Sequence, residues 1–139
     1  MPILCLGGIM INTNSFDYIN VLDKAADGSW LRNKAISNNI ANSSTPNYKR
    51  QDVAFADELK ASIMGANELT LDKKIRNVDL KRLTPKVFTD TAASSYRLDG
   101  NNVDVDTENV YLAENQLYYQ GVMNGIASEF QNLRTAMGK

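Results

Sequence analysis

The clearest pattern in the chain is a seven-residue repeat near its C-terminus. Two rows of mostly apolar residues are offset by four positions, and Gln116 is the polar member. This repeat predicts a long helix with a coiled-coil-like seam from about residue 106 to 137. Asp104 or Asp106 suits its N-cap, and Gly138 suits its end. The first row is Leu112, Tyr119, Ile126 and Leu133, and the second is Gln116, Met123, Phe130 and Met137.

A second amphipathic pattern runs from about residue 15 to 42 and predicts another helix. The segment Asp27-Gly28-Ser29 interrupts it, because Gly costs about 1 kcal/mol relative to Ala inside a helix. The pattern therefore fits one kinked helix or two consecutive helices. Pro46 ends it, since proline lacks an amide hydrogen and disfavours helical geometry at Thr45. The apolar positions are Phe16, Ile19, Leu22, Ala26, Leu31, Ala35, Ile36 and Ile40.

Between these helices the periodicity is weaker. Residues 53–59 favour a short helix that reaches about Met64, and residues 84–89 favour an edge strand with Pro85 near its start. Asp99-Gly100 is a turn signal, so residues 94–105 are expected to form a small hairpin or an irregular loop. The predicted fold is mainly α, with long N- and C-terminal helices pairing as a coiled-coil-like hairpin and a small irregular or β-hairpin-containing middle segment.

The predicted organisation is one discontinuous helical domain, built from residues 10–46 and 104–139, with residues 47–103 as a middle segment. Residues 1–9 are expected to be an upstream or non-native extension, with Met10 as the natural start. The apolar N-terminal stretch is shorter than the roughly 20 residues of a membrane span. It also lacks the basic region of a secretory signal.

Composition narrows the function. The net charge is −1, with no histidine and one cysteine. Ser-His-Asp and Cys-His catalysis and the usual zinc sites are therefore excluded. Basic residues between 73 and 86 are interrupted by acidic ones and are expected to be a solvated face, so no nucleic-acid partner is predicted. The acidic residues between 99 and 108 do not follow the calcium-loop spacing. We predict no catalytic, cofactor or metal site.

Gly121 and Gly125 lie four residues apart on the C-terminal helix. They either weaken the helix locally or allow a neighbouring helix to approach closely. The heptad seam likewise has two explanations. It serves as ordinary core packing, or the terminal helices pair with each other and with neighbouring subunits.

Two short segments carry a family resemblance. Ser37-Asn38-Asn39-Ile40-Ala41-Asn42, followed by Thr45-Pro46-Asn47-Tyr48-Lys49, resembles the N-terminal signature of flagellar axial proteins. The family favours Gly at the position of Asn47, and Asn is the next best residue for a positive φ. Asp99-Gly100-Asn101-Asn102-Val103-Asp104, followed by residues 112–120, is similar to the FlgB family of proximal rod proteins. The resemblance covers about residues 15–59 and 94–137.

The resemblance implies a structural, non-enzymatic subunit of the basal-body rod. It would be exported unfolded by the flagellar type III apparatus without a cleaved signal, and its terminal helices would polymerise into the hollow axial shaft. Implied partners are further copies, other rod proteins and the membrane-ring adaptor. The alternatives are another axial subunit or a cytoplasmic coiled-coil adaptor or secretion chaperone. The implied assembly residues include the seam residues, Gly121 and Gly125. The others are Asn38, Asn39, Ile40, Ala41, Asn42, Thr45, Pro46, Tyr48, Asp99, Gly100, Asn101, Asn102, Asn115, Gln116 and Tyr119.

Overall fold

The computed structural model describes residues 14–65, 70–91 and 98–138. The predicted extension at residues 1–9 and part of the predicted hairpin, residues 94–97, lie outside the described residues. The elements are α1 (Asn14–Ala41), β1 (Gln51–Val53), α2 (Phe55–Met64), α3 (Leu71–Arg76), β2 (Val87–Thr89) and α4 (Val105–Ala136).

The two terminal helices pack against each other in antiparallel directions. Asn39 of α1 contacts Glu108 of α4. Ser29, ten residues before Asn39, contacts Asn115, seven residues after Glu108. The chain is mainly helical, and a small antiparallel sheet lies in the middle segment. The predicted fold class is confirmed.

α1 is one continuous helix through the Asp27-Gly28-Ser29 segment. The glycine is there for close packing rather than for a break. A Cβ atom added at Gly28 would lie 2.3 Å from Cδ1 of Phe55, so the aromatic ring rests directly on the α1 backbone. Phe55 is the first residue of α2, and this contact anchors α2 on α1.

The seam of α4 differs from the predicted one by its second row. Leu112, Tyr119, Ile126 and Leu133 are half-buried, as a seam row should be. The second predicted row does not pack against α1. Met123, Phe130 and Met137 are 43%, 52% and 70% exposed, and Gln116 is exposed as well. The buried second row precedes the first by four residues and contains polar side chains that hydrogen bond with α1. It consists of Glu108, Asn115 and Val122.

The middle segment packs on the helix pair. β1 and β2 are antiparallel, with Asp52 opposite Phe88. The predicted short helix and edge strand are confirmed as α2 and β2, while β1 and α3 had no sequence prediction. The described part of the segment expected to be a hairpin or loop, residues 98–104, is irregular. The buried hydrophobic cluster combines residues of all these parts: Val21, Ala25, Ala35, Val53, Phe55, Leu59, Ile75, Leu83 and Val122.

Local signals at both ends of α4 act as predicted. The Asp104 carboxylate caps the helix by accepting a hydrogen bond from the Asp106 amide. Gly138 follows the last turn with φ of 72°, in the left-handed region that favours glycine. Within the described ranges, no helix has the length and apolar character needed to cross a membrane.

Candidate functional site

The two signature segments meet where α1 ends and α4 begins. Although they are separated by about half of the chain, their side chains and backbone groups bond to one another. We call this arrangement the signature network. Its members are Asn39, Tyr48, Arg50, Asp52, Asp90, Asn101, Asn102 and Glu108.

Asn39, in the last turns of α1, is fully buried. Its side-chain amide donates to the carbonyl of Gln51 at 2.7 Å and accepts from the amide of Gln51 at 2.9 Å. The side chain thus takes the place of a neighbouring strand beside β1. The same Nδ2 donates to Glu108 at 2.9 Å, and the Tyr48 hydroxyl donates to Asn39 Oδ1 at 3.3 Å. One asparagine therefore joins α1, β1 and α4.

Asn101 performs the corresponding role for the end of α1. Its Nδ2 donates to the carbonyls of Asn42, Ser43 and Thr45 at 3.0, 3.1 and 2.9 Å. Carbonyls at a helix C-terminus have no partner within the helix, so a buried donor stabilises them. Oδ1 of Asn101 accepts from the Val103 amide at 2.8 Å and turns the chain toward α4.

Asn102 inserts its amide between the two strands at their open end. It accepts from the Arg50 amide at 2.7 Å and donates to the Asp90 carbonyl at 2.9 Å. Gly100, two residues before Asn102, has φ of 74°, and a Cβ there would lie 2.7 Å from the Asn47 side chain. Asn47 itself has φ of 60°, which confirms that asparagine can take the place of the family's glycine.

Arg50 is the cation of the signature network. Its Nε donates to Glu108 at 2.5 Å, and its terminal nitrogens lie 2.8 Å from Asp52 and 3.4 Å from Asp90. Glu108 is only 1% exposed, so it is a buried carboxylate whose charge is balanced by Arg50. The Tyr48 and Arg50 side chains both point into the protein, where they hydrogen bond to Asn39 and Glu108.

Burial and pairing act in opposite directions on these charges. Burial raises the pKa of Asp52, but hydrogen bonds from Arg50, its own following amide and Arg32 outweigh burial and lower that pKa below its ordinary value. Burial alone would lower the pKa of Arg50, whereas its bonds to Asp52 and Glu108 raise it. The arginine ends of Arg32 and Arg50 also lie 5.7 and 5.2 Å from the centroid of the Tyr111 ring. The shifts of both pKa values therefore favour the charged forms of Arg50 and Asp52, which face each other at 2.8 Å.

The remaining signature residues lie nearer the surface. Asn38, Ala41, Thr45 and Pro46 are exposed, and Ile40 and Asn42 are half-buried. The Asn42 amide donates to the Asn38 carbonyl at 2.8 Å, and the Thr45 hydroxyl donates to Asn42 at 3.3 Å. The Asp99 carboxylate accepts from the Asn101 amide at 3.1 Å, and its carbonyl accepts from the Asn47 amide at 2.8 Å. These contacts shape the turn after α1.

A second polar contact lies halfway along the helix pair. Asn115 is 3% exposed and donates to the Ser29 carbonyl at 2.9 Å, while the Ser29 hydroxyl donates to Asn115 Oδ1 at 3.1 Å. A polar pair at a seam position can fix the register of two helices, because any shift leaves buried groups without partners. In the described part of the chain, every buried side-chain nitrogen or oxygen has a hydrogen-bond partner.

The outer face of α4 has a different character. Met123, Phe130 and Met137 recur every seven residues and remain exposed beside the seam; we call them the apolar row. An open groove of about 530 Å³ lies on the other flank, with Leu59, Tyr118 and Gly121 among its walls. A Cβ added at Gly121 would have no atom of the described residues within 4 Å, whereas one added at Gly125 would lie 3.4 Å from Leu22 of α1. The two glycines therefore face different surroundings.

Sequence reasoning did not identify several members of the network. Glu108, Asp52 and Asp90 were not among the predicted site residues. A usable signal existed for Glu108, because it lies seven residues before Asn115 and fourteen before Val122. Extending the repeat through polar positions would have found the buried row.

Curated relatives decide the family. The chain is 36% identical over 121 residues to the flagellar basal body rod protein FlgB of Bacillus subtilis, covering 86% of this chain and 92% of that protein. It is 32% identical over 132 residues to that of Borreliella burgdorferi, covering 88% and 92%, and 29% identical over 113 residues to that of Escherichia coli, covering 76% and 82%. The chain belongs to the FlgB family. No family model matches the chain.

Membership of the FlgB family gives the signature network a context. The two blocks that resemble the family are the two ends of one hydrogen-bonded arrangement. Asn39 and Asn101 are both fully buried, and the side chain of each makes several of the hydrogen bonds in this arrangement. In this FlgB-family chain, the signature therefore describes how α1, the middle segment and α4 are joined.

Proposed function

We propose that this chain is a structural subunit of the flagellar basal-body rod and polymerises through the outer surfaces of its terminal helices. The relatives that define its family are named flagellar basal body rod proteins. The observation that carries the proposal is the apolar row. It leaves three large apolar side chains exposed on the longest helix, whereas Glu108, Asn115 and Val122 of the same helix are buried.

The physical reason is the cost of exposed apolar surface. Each large apolar side chain gains roughly 1.5–3 kcal/mol when it moves from water into a packed contact. The apolar row repeats every seven residues, which is the spacing that keeps one stripe of a helix against a partner helix. A neighbouring subunit that covers this stripe buries Met123, Phe130 and Met137 together.

The test is a set of polar variants in a strain that lacks the native gene. A Met123→Gln/Phe130→Gln/Met137→Gln triple variant should keep the helical circular dichroism and the unfolding temperature of the purified chain. It should nevertheless fail to restore swimming and should be missing from purified basal bodies.

Leu117→Gln serves as the matched control. Leu117 is 70% exposed on the face of α4 that points away from α1. We expect this variant to restore swimming. Normal swimming of the triple variant would refute the role of the apolar row. Loss of swimming in both variants would refute the claim that the contact with a neighbouring subunit is confined to that row.

Gly121 offers a second probe of close helix approach. Because no atom of the described residues lies within 4 Å of its missing Cβ, Gly121→Leu should leave the isolated chain at least as stable as before. We expect it to impair assembly by blocking a neighbouring helix. Gly125, proposed from sequence for the same purpose, is less suitable because Leu22 of the same chain lies beside it.

We propose further that the subunit is not an enzyme, is exported by the flagellar type III apparatus without a cleaved signal, and contacts other rod proteins and the membrane-ring adaptor. Basal bodies should contain the chain at the same mass as in the cytoplasm, and cross-linking should capture those neighbours. A chain that stays in the cytoplasm would instead be an adaptor or chaperone. A chain found in the rod beside different neighbours would be another axial subunit.

A further inference from the structure

The outer edge of β2 presents backbone groups that β1 does not use. The amide and carbonyl of Gln51 bond to Asn39, on the α1 side of β1. Because backbone groups alternate between the two edges of a strand, Asp52 is the β1 residue that faces β2, and its opposite residue is Phe88. The amides and carbonyls of Val87 and Thr89 therefore point away from β1.

This edge is open within the described part of the chain. Among residues 14–65, 70–91 and 98–138, no backbone hydrogen bond outside the strand pair involves Val87 or Thr89. All three β2 side chains are exposed, with Val87 at 44% and Phe88 at 45%. An exposed strand edge is a template for another strand, since its backbone groups need partners.

The charges around β2 are self-complementary. Lys86 precedes the strand and Asp90 follows it, so the strand is basic at one end and acidic at the other. If two copies of β2 align antiparallel with Phe88 opposite Phe88, then Lys86 of each copy lies opposite Asp90 of the other. The outward groups of Val87 lie opposite those of Thr89, which gives four backbone hydrogen bonds. The two Phe88 rings then form the close cross-strand pair.

Other registers lose these contacts. A shift of two residues in one direction places Thr89 opposite Pro85, which has no amide hydrogen. The shift in the other direction separates Lys86 from Asp90. Proline and lysine normally protect an edge from pairing, and here they leave only one favourable register.

We propose that the free protein forms a weak symmetric dimer by antiparallel pairing of β2 with β2 of a second copy. The two sheets join into one of four strands in the order β1-β2-β2-β1. Asp90 keeps its contact with Arg50 at 3.4 Å, and its partly exposed carboxylate meets the second copy's lysine. A two-fold contact closes on itself and cannot extend a filament, so this inference is independent of the proposed rod function.

The first experiment is sedimentation equilibrium of the purified full chain from about 10 µM to 1 mM. A contact of three residues per strand is small, so we expect a Kd on the order of 0.1–1 mM. In amide hydrogen exchange, Val87 and Thr89 should gain protection as concentration rises, while Phe88, already bonded to β1, should not change. A chain that stays monomeric at 1 mM, or a dimer without added protection at Val87 and Thr89, overturns the proposal.

Two variants test the contact by separate means. Thr89→Pro removes one outward amide from each copy, and with it two of the four hydrogen bonds between copies, so dimerisation should weaken at least tenfold. The pairing of β2 with β1 should persist, because β1 does not use that amide. Lys86→Glu should also weaken it by placing like charges opposite each other, and the effect should shrink in high salt. Lys81→Glu, an equal charge change at an exposed turn residue, is the control and should leave the dimer unchanged. A dimer of native affinity in both test variants overturns the proposal.

Discussion

Two adjacent asparagines of the signature should respond very differently to the same change. Asn39 is fully buried and makes four hydrogen bonds, to Gln51 through both its backbone groups, to Glu108 and to Tyr48. Asn38 is exposed and contributes its backbone carbonyl to the turn. Asn39→Ala and Asn38→Ala are therefore a matched pair, since residue type, helix and distance from the helix end are nearly identical.

The size of the difference follows from the groups left behind. Asn39→Ala leaves the amide and carbonyl of Gln51 and one oxygen of Glu108 without their partner. Each buried polar group left unsatisfied costs about 1–3 kcal/mol, and water that enters the site recovers part of this. A total of about 3–4 kcal/mol results. Alanine's higher helix propensity returns about 0.5 kcal/mol, equally in both variants. We expect a net loss of about 3 kcal/mol for Asn39→Ala and a change within about 0.5 kcal/mol for Asn38→Ala.

Urea unfolding followed by far-ultraviolet circular dichroism measures both values. With an m-value of roughly 2 kcal/mol per molar urea, the midpoint of Asn39→Ala should fall by about 1.5 M and that of Asn38→Ala should stay near the native midpoint. A difference between the two variants below about 1 kcal/mol would refute the argument that Asn39 holds the helix end to β1 and α4.

Four further substitutions test other contacts of the structure. Gly28→Ala should destabilise the chain by about 1–2 kcal/mol in thermal unfolding, because its Cβ meets Phe55, while Gly121→Ala should stabilise it by up to about 1 kcal/mol; equal effects would contradict the packing. Asp52 has a pKa lowered from 3.8, so its contribution to stability is fully present above that pH and is lost as pH falls through the folded pKa. Asp52→Asn should therefore flatten the acid decline of unfolding free energy, and an unchanged slope would speak against the pairing. Gly100→Ala should cost about 1–3 kcal/mol, because alanine must adopt a φ of 74°, and a native unfolding midpoint would exclude that strain.

Local signals explain what the sequence predicts correctly. The ends of α4 are visible because Asp104 and Gly138 act through their own neighbours. Asn47 was expected to accept a positive φ for a reason contained in the residue itself. Both helices and the short α2 follow from apolar spacing over consecutive residues, so no distant contact is needed to find them.

Distant polar contacts explain what the sequence does not predict. The buried row of α4 begins with Glu108 and Asn115, whose partners Asn39 and Ser29 lie 69 and 86 residues away. Apolarity alone favours the row of Met123 and its companions, which is exposed. β1 could not be predicted from the sequence either. An asparagine side chain takes the place of a neighbouring strand along one of its edges, and such a contact produces no periodic pattern in the sequence.

The burial of the signature network separates two ways in which a substitution can impair a rod subunit. Asn39 and Asn101 are fully buried within the chain, so a neighbouring subunit cannot touch them unless the chain opens. Any effect of Asn39→Ala on assembly must therefore pass through the stability of the joint between α1 and α4. The apolar row is exposed, so its polar variants change a surface and leave that joint intact. Loss of swimming together with loss of stability identifies the joint, and loss of swimming with native stability identifies the contact between subunits. The residues that mark the family and the residues that bind the neighbour are thus expected to be different sets.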